Sequence, residues 1–228
     1  MVSEIAESRQ DAFISIRHRG FIAKGVEDTA FFRYSRLLSL NEVGADPGVF
    51  GHSPAEVHSW LTERAATFPG AMSAGTTHDT KRSCDVRARL DVLTERPAEW
   101  RREVRAWARL NARHRQLLAD GPAPDAPAEY YLYQTLAGSL PPEGVTEDYR
   151  SRIADHFLKA QREAKSRTSW VYPDEEYEAA CRRFVGRLLD PRTGTRFLAR
   201  LERFVDRLVA PASLNSRAIS PPIRRTRV

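Results

Sequence analysis

Apolar residues recur at steps of three and four positions through most of the chain, which is the spacing of one face of an α-helix. The longest such pattern starts at Pro97, carries Trp100, Val104 and Trp107, and continues to Gly121. The same spacing predicts further helices at about 54–67, around 130–140, and at 146–165, 174–189 and 193–209. The pattern therefore indicates a mainly α-helical protein.

The clearest helix start lies at Ser53, because Pro54 follows at the first helical position and Glu56 completes a capping box. The apolar residues behind this start share one face of the helix, and we expect that face to be buried. All three tryptophans on such helical faces are predicted to be core residues: Trp60, Trp100 and Trp107.

Signals for β-strands are scarce. Residues 13–22 (FISIRHRGFI) are rich in β-formers, and residues 72–77 form a short run that ends just before a His-Asp pair. The proline-rich segment 121–127 is predicted to be a loop. The segment 217–228 contains two adjacent prolines and is predicted to lie outside any helix.

The composition is that of a folded protein in a reducing compartment. With 228 residues and 41% hydrophobic residues, the chain can bury a sizeable core and has no pattern typical of disorder or of a membrane span. Cys84 and Cys181 give neither a disulfide framework nor a metal-binding spacing. We therefore expect a cytoplasmic protein without a secretory signal, a membrane partner or a metal site.

A net charge of +6 is compatible with a nucleic-acid partner, but the excess of positive charge is concentrated at one end of the chain. Residues 217–228 contain four arginines and no acid, so the rest of the chain is close to neutral. The chain has 36 basic residues, of which four are lysines, and all four lie in or beside three polar segments: Lys24, Lys81, Lys159 and Lys165. We therefore expect no nucleic-acid partner.

The three polar segments are residues 23–28, 76–85 and 159–170, and each is more polar than a packing helix requires. The second places His78, Asp79, Lys81 and Arg82 between a candidate strand and a candidate helix, a position that favours catalytic groups. On residue types alone, Asp79 is as well explained as the N-cap of the next helix.

These segments carry a resemblance to a known family. KGVEDTAFFRYSRLLSLNEVGADP (24–47), THDTKRSCDVRARLDVL (77–93) and KAQREAKSRTSW (159–170) resemble the maltooligosyltrehalose synthase family, a trehalose-forming branch of the α-amylase superfamily. The resemblance covers about residues 23–216. It implies a mainly α fold: a helical insert region plus a partial C-terminal segment of a (β/α)8 barrel, with few short strands.

The resemblance also implies a chemistry. Members of the superfamily work by retention, in which a carboxylate nucleophile forms a covalent glycosyl intermediate and a second carboxylic acid protonates the leaving oxygen. By resemblance, Asp79 is the third, assisting acid and His78 binds hydroxyls of the reacting sugar. The family is an isomerase that turns the terminal α-1,4 link of a maltooligosaccharide into an α,α-1,1 link, and it uses no cofactor.

Other site residues are assigned by resemblance alone, each with a structural alternative. Lys81 and Arg82 are expected to line the site for the reducing-end glucose, unless they are solvated charges. For Lys24, Glu27 and Asp28 the favoured alternative is an ion network that braces the loop. Lys165 is expected near the same pocket, and Trp170 is either a platform for a sugar ring or a core residue.

The sequence departs from the family where the two essential carboxylates should be, because no motif in residues 1–22 carries them. A full barrel needs about 250 residues. We therefore expect an inactive fragment whose partners are a maltooligosaccharide and the missing barrel portion of the enzyme. Its organisation would be a lead-in (1–22), the family-like segment (23–216) and a disordered basic tail (217–228).

Two alternatives stay open. The chain could be an α-helical interaction module that binds nucleic acid or a protein through its arginine-rich surface, in which case DNA binding would be steeply salt-dependent even without residues 217–228. It could instead be an intact small glycosidase, for which Glu27, Asp28 and Glu42 are the nearby carboxylates.

Overall fold

The computed structural model describes residues 25–71 and 74–219, and within them the chain is mainly helical. A π-helical turn, Val26–Ala30, leads directly into the first of the eight α-helices within these residues, and 3-10 turns lie at Leu38–Leu40, Val92–Glu95 and Ala112–His114. The α-helices are α1 (Phe31–Arg33), α2 (Pro54–Thr67), α3 (Cys84–Asp91), α4 (Pro97–Asn111), α5 (Ala126–Ser139), α6 (Glu147–Ala164), α7 (Glu175–Leu189) and α8 (Thr195–Ile219).

Side-chain caps fix where most of the longer helices begin. The capping box of α2 is present as predicted: Ser53 Oγ accepts the Glu56 N–H at 3.3 Å, and Glu56 Oε2 accepts the Ser53 N–H at 2.6 Å. Thr146 and Asp174 cap α6 and α7 by accepting the N–H three residues ahead. The predicted starts of these helices are therefore confirmed to within two residues.

An aromatic cluster forms the core where α4, α5 and α8 meet. Trp107 is fully buried and makes edge-on contacts with Tyr133, Phe197 and Phe204, at ring-centroid distances of 5.5–5.7 Å. Trp100 is also buried, which confirms the prediction for these two tryptophans.

The prediction of a buried face on α2 was wrong. Trp60 is 55% exposed, and Val57 and Leu61 on the same helix and Phe68 directly after it are exposed as well. A helical apolar spacing shows that a helix has an apolar side, but it does not show that another element covers that side. Here no element of the described chain does so.

The predicted continuation of α4 to Gly121 was also wrong. The helix ends at Asn111, and a short antiparallel hairpin follows, formed by β1 (Gln116–Leu118) and β2 (Gly121–Ala123), in which Leu118 pairs with Gly121. Gly121 has a φ of +109°, which favours glycine. Leu118 therefore lies in a strand, although its spacing from Trp107 fitted a helical stripe, and the segment 121–127 is not entirely a loop.

The last helix, α8, is longer than predicted because its final turns pack on α3. It runs through Pro211 to Ile219, with Ala212 buried, Asn215 Nδ2 donating to Ala88 O at 3.3 Å and Ser216 Oγ donating to Asp85 Oδ1 at 2.6 Å. These tertiary contacts outweigh the intrinsic cost of a proline inside a helix. Arg217, placed in the predicted tail, lies in this helix.

The predicted strand at 13–22 lies outside the described residues, as do Lys24, Met72, Ser73 and the segment 220–228. Residues 74–77 form no strand. A mainly helical fold with few strands is thus confirmed, whereas the barrel segment stays a prediction. No helix among the described residues is both long and apolar enough to cross a membrane.

Candidate functional site

The loop 77–82 is an ordered turn in which His78 and Asp79 are exposed, whereas Lys81 and Arg82 are partly buried. Thr77 Oγ1 accepts the Asp79 N–H at 2.9 Å, and Thr80 Oγ1 donates to Thr77 O at 3.1 Å. Asp79 does not cap the following helix, because Ser83 is the N-cap of α3 and accepts the Val86 N–H at 3.4 Å. The capping alternative for Asp79 is therefore wrong, and its exposed carboxylate is left for another role.

Glu42 ties this loop to the preceding segment. Its side chain is 9% exposed, and its Oε1 accepts the N–H groups of Val43 and Lys81, both at 2.8 Å. Its Oε2 accepts the Arg82 N–H at 3.2 Å and lies 4.0 Å from Arg87 Nε. One buried carboxylate therefore fixes the backbone of the residues that carry the loop's two cations.

Lys81 is paired and partly buried. Its Nζ lies 3.2 Å from Asp28 Oδ1, and the two side chains are 15% and 28% exposed. Lys81 is therefore not a freely solvated charge. Glu27 accepts the Gly44 N–H at 3.2 Å, which is a bracing contact on the loop that precedes Pro47.

Arg82 is held by protein groups on several sides. Its Nη1 donates to Leu38 O at 3.1 Å, its Nη2 donates to the Tyr131 hydroxyl at 3.2 Å, and its guanidinium lies 5.7 Å from the centre of the Tyr131 ring. Tyr131 Oη in turn lies 3.1 Å from His156 Nε2, and the two rings stack at 6.0 Å. Arg82 is thus the anchor of a small polar cluster between loop 77–82, α5 and α6.

The third polar segment contacts the residues that directly follow the first polar segment. Arg33 donates to Ala164 O at 2.5 Å and to Lys165 O at 3.0 Å, and Lys165 Nζ donates to Thr29 Oγ1 at 3.0 Å. Lys165 ends α6 with a φ of +52°, in the left-handed region. Through these bonds, residues about 130 positions apart in sequence are neighbours.

Trp170 lies on an exposed loop beside the same helix end. Its indole is 53% exposed, its Nε1 donates to Glu163 Oε1 at 3.0 Å, and Arg162 stacks on it at 4.8 Å. The core alternative for Trp170 is therefore wrong. Arg162 also forms two hydrogen bonds to Glu178, at 2.8 and 2.6 Å, and these bonds are the main cause of the lowered pKa of the Glu178 carboxyl.

A cavity of about 240 Å³ lies where these parts meet. Five of the residues singled out from the sequence line it: Asp28, His78, Asp79, Lys81 and Arg82. Glu27, Lys165 and Trp170 do not line it, and Lys24 lies outside the described residues. The three motifs are thus brought to one place, although not every predicted residue reaches the cavity.

No site role was predicted from the sequence for the residues of the opposite wall of the cavity, although Lys159 and Glu163 lie in the third polar segment. Phe32 and Tyr131 contribute to this wall, together with three residues of α6: His156, Lys159 and Glu163. The last three are spaced by three and four positions, so they share one helix face. That spacing was visible in the sequence, but it lay next to the apolar stripe of α6 and resembled an ordinary solvated face.

Burial determines the protonation of the two ring groups in this wall. It lowers the pKa of His156 to about 4, helped by the positive charges of Arg82 and Lys159, and it raises the pKa of the Tyr131 phenol. At neutral pH the imidazole is uncharged and the phenol is protonated. Three cations and three carboxylates then line the cavity, so it suits a neutral ligand rich in hydroxyl groups: Lys81, Arg82, Lys159, Asp28, Asp79 and Glu163.

Possible metal ligands do not cluster among the described residues. No group of three or more His, Cys, Asp or Glu side chains there is arranged to hold a metal ion. Cys84 donates its Sγ–H to Gly75 O at 2.8 Å and lies 3.3 Å from Thr76 Oγ1, so it helps to order the segment that leads into loop 77–82.

Comparison with known proteins finds relatives by sequence and by structure, but no matching family profile. No protein-family profile matches the chain. A sequence from Mycobacterium tuberculosis, assigned as a maltooligosyl trehalose synthase, is 40% identical over 169 residues, which are 74% of this chain and 21% of that protein. The chain therefore spans about a fifth of the length of the curated relatives it matches.

Solved structures agree with the sequence match. The maltooligosyltrehalose synthase of Arthrobacter ramosus superposes with a TM-score of 0.73 at 38% identity, over 86% of this chain and 24% of that one. A hypothetical maltooligosyl trehalose synthase of Sulfolobus tokodaii gives a TM-score of 0.78 at 32% identity, over 92% and 28%. The resemblance carried by the three motifs is thereby confirmed: this chain is homologous to a segment of the maltooligosyl trehalose synthases.

Proposed function

We propose that this chain forms part of the saccharide site of a maltooligosyl trehalose synthase, and that it supplies one acid and several sugar-binding groups. The observation that carries the proposal is the convergence of the three motif segments on one cavity with balanced charge. The reaction converts the terminal α-1,4 link of a maltooligosaccharide into an α,α-1,1 link within the same molecule.

In this reaction a carboxylate nucleophile attacks the anomeric carbon, and a carboxylic acid gives its proton to the departing oxygen of the terminal glucose. The released glucose turns, and its own anomeric hydroxyl attacks the glycosyl intermediate, returning the proton and freeing the nucleophile. Water has to be excluded throughout, since it would hydrolyse the intermediate. The nucleophile and the acid belong to motifs that this sequence does not contain.

Asp79 is proposed to be the third acid. Its carboxylate is exposed at the cavity and is not used as a helix cap, so it is free to accept hydrogen bonds from sugar hydroxyls. Such bonds strengthen as positive charge develops on the reacting ring, and His78 lies beside it to bind the same ring. Lys81 and Arg82 are proposed to shape the neighbouring position for the released glucose.

The experiment has two arms. The purified chain, given maltopentaose, is expected to produce no trehalose-ended product; product formed at an ordinary enzymatic rate would contradict the proposed absence of two carboxylates. In the complete Arthrobacter ramosus enzyme, replacing the residue that matches Asp79 by Asn is expected to abolish turnover and leave the melting temperature unchanged. Retained turnover would remove Asp79 from the mechanism.

The arginine content does not favour the alternative of a nucleic-acid module. Several arginines of the described chain are engaged by carboxylates within the fold: Arg115 with Glu129, Arg162 with Glu178, Arg182 with Asp155, Arg200 with Glu103 and Arg207 with Glu99. A surface that binds phosphates needs its cations free for the partner.

A further inference from the structure

His156 is the cavity-lining group on α6 that neither the motifs nor the proposed function assigns. It shares its helix face with Lys159 and Glu163, and this face forms the wall opposite loop 77–82. The cavity holds about 240 Å³, which is less than the usual 300–1,000 Å³ of a drug-sized pocket. A space of this size suits a single sugar ring, and most polar atoms in its walls would then lie close to that ring.

The hydrogen bonds of Tyr131 favour one of the two protonation sites on the His156 ring. Tyr131 is 1% exposed, and its hydroxyl oxygen already accepts a hydrogen bond from Arg82 Nη2. The hydroxyl proton is therefore available to donate, and His156 Nε2 lies within reach of it at 3.1 Å. An imidazole that accepts at Nε2 and is uncharged carries its proton on Nδ1.

The Nδ1–H of His156 is available to a ligand. No hydrogen-bond partner for it occurs among the described residues, and it is not one of the buried atoms that lack a partner. Burial lowers the pKa of the His156 imidazole, and the positive charges of Arg82 and Lys159 lower it further. The ring therefore presents a neutral donor whose orientation is set by its stack on Tyr131.

We propose that His156 is a saccharide-contacting residue whose Nδ1–H donates a hydrogen bond to a hydroxyl of the glucose ring in this cavity, with Tyr131 as the positioning residue that holds the imidazole in place. This inference rests on the proposed function, because it takes the ligand of the cavity to be a maltooligosaccharide. It adds a contact from α6 to those expected from loop 77–82.

The test uses the full 228-residue chain and maltotriose, followed by NMR of the histidine side chains and of the backbone amides. The His156 and His78 ring signals are expected to shift saturably with the same dissociation constant, whereas those of His58, which lies on α2 away from the cavity, stay fixed. Substitution H156F keeps a flat ring and removes the donor. It is expected to weaken binding by roughly threefold to tenfold, the effect of one hydrogen bond.

Three variants separate positioning from simple stability. H156N, whose amide nitrogen can lie near the position of Nδ1, is expected to recover most of the affinity lost in H156F. Y131F keeps the stack and removes the hydroxyl, and it is expected to weaken binding while raising the pKa of His156 observed by NMR, since the imidazole then loses a hydrogen bond that favours its neutral form. H58F is the matched control and should change neither quantity.

The outcomes distinguish the two proposals. If maltotriose produces no saturable shift anywhere in the chain, the proposed function fails as a binding claim. If the loop 77–82 amides shift saturably but the His156 signals do not, or H156F binds as tightly as the parent chain, the inference about His156 is overturned and the saccharide site remains. If H156F does not fold, the inference is tested by the shift of the His156 signals in the parent chain and by the affinity of H156N for maltotriose.

Discussion

The most quantitative prediction concerns Glu42, whose carboxylate accepts three backbone hydrogen bonds, two from the site loop 77–82 and one from Val43. In Glu42→Gln the carbonyl oxygen can keep the two bonds made by Oε1, but the amide nitrogen that replaces Oε2 cannot accept the Arg82 N–H. In Glu42→Ala all three acceptor contacts are lost. At about 1 kcal/mol for each net hydrogen bond, we expect the unfolding free energy to fall by about 1 kcal/mol for Gln and about 3 kcal/mol for Ala.

Urea unfolding followed by tryptophan fluorescence measures both values, and Glu63→Gln, at an exposed position of α2, is the control with an expected change within about 0.5 kcal/mol. For a protein of this size, the Ala variant should melt roughly 6–12 °C lower. Amide hydrogen exchange adds a residue-level readout: in the Gln variant protection should fall at Arg82 and persist at Lys81. Equal losses in the two variants, or losses no larger than that of the control, would refute the reasoning.

Other predictions follow from exposure and protonation. Trp60→Ala should leave the unfolding free energy within about 0.5 kcal/mol, whereas Trp107→Ala should lower it by about 3–5 kcal/mol; similar effects in calorimetry would contradict the assigned exposures. Because burial lowers the pKa of His156 to about 4, the unfolded chain binds its proton first, and this residue's stabilisation should be complete above about pH 6.5 and fall as the pH drops towards 4. An NMR titration that found the ring protonated at pH 6 would exclude this. Since burial raises the pKa of Cys181 to about 12, iodoacetamide should alkylate Cys84 first in the native chain, and mass spectrometry of the digested protein would reveal the opposite order.

Local signals in the sequence predicted the helices well where a capping residue marks the start. Ser53, Thr146 and Asp174 each satisfy an exposed N–H of the first turn, and this contact depends only on neighbours in sequence. The two errors in helix length have a different origin. The end of α4 and the extension of α8 depend on partners far away in the chain, and the apolar spacing carries no information about them.

The candidate site was predictable in its motifs and not in its opposite wall. Loop 77–82 is rich in residues that a packing helix does not need, so it was recognisable. His156 and Tyr131 lie on helices that also build the core, and only the docking of α5 against α6 shows that both residues line a cavity. Glu42 was considered only as a possible catalytic carboxylate, whereas its contacts give it a structural role.

The bonds between the first and third motifs also bear on the order of folding. Arg33 and Ala164 are 131 positions apart, so their contact closes a long loop, at an entropic cost that grows with the logarithm of loop length. Contacts of such high sequence separation form late on the folding pathway, after local helices. The cavity is therefore expected to appear only in the final step, and ligand binding during refolding would report on completed folding, whereas helical circular dichroism would recover earlier.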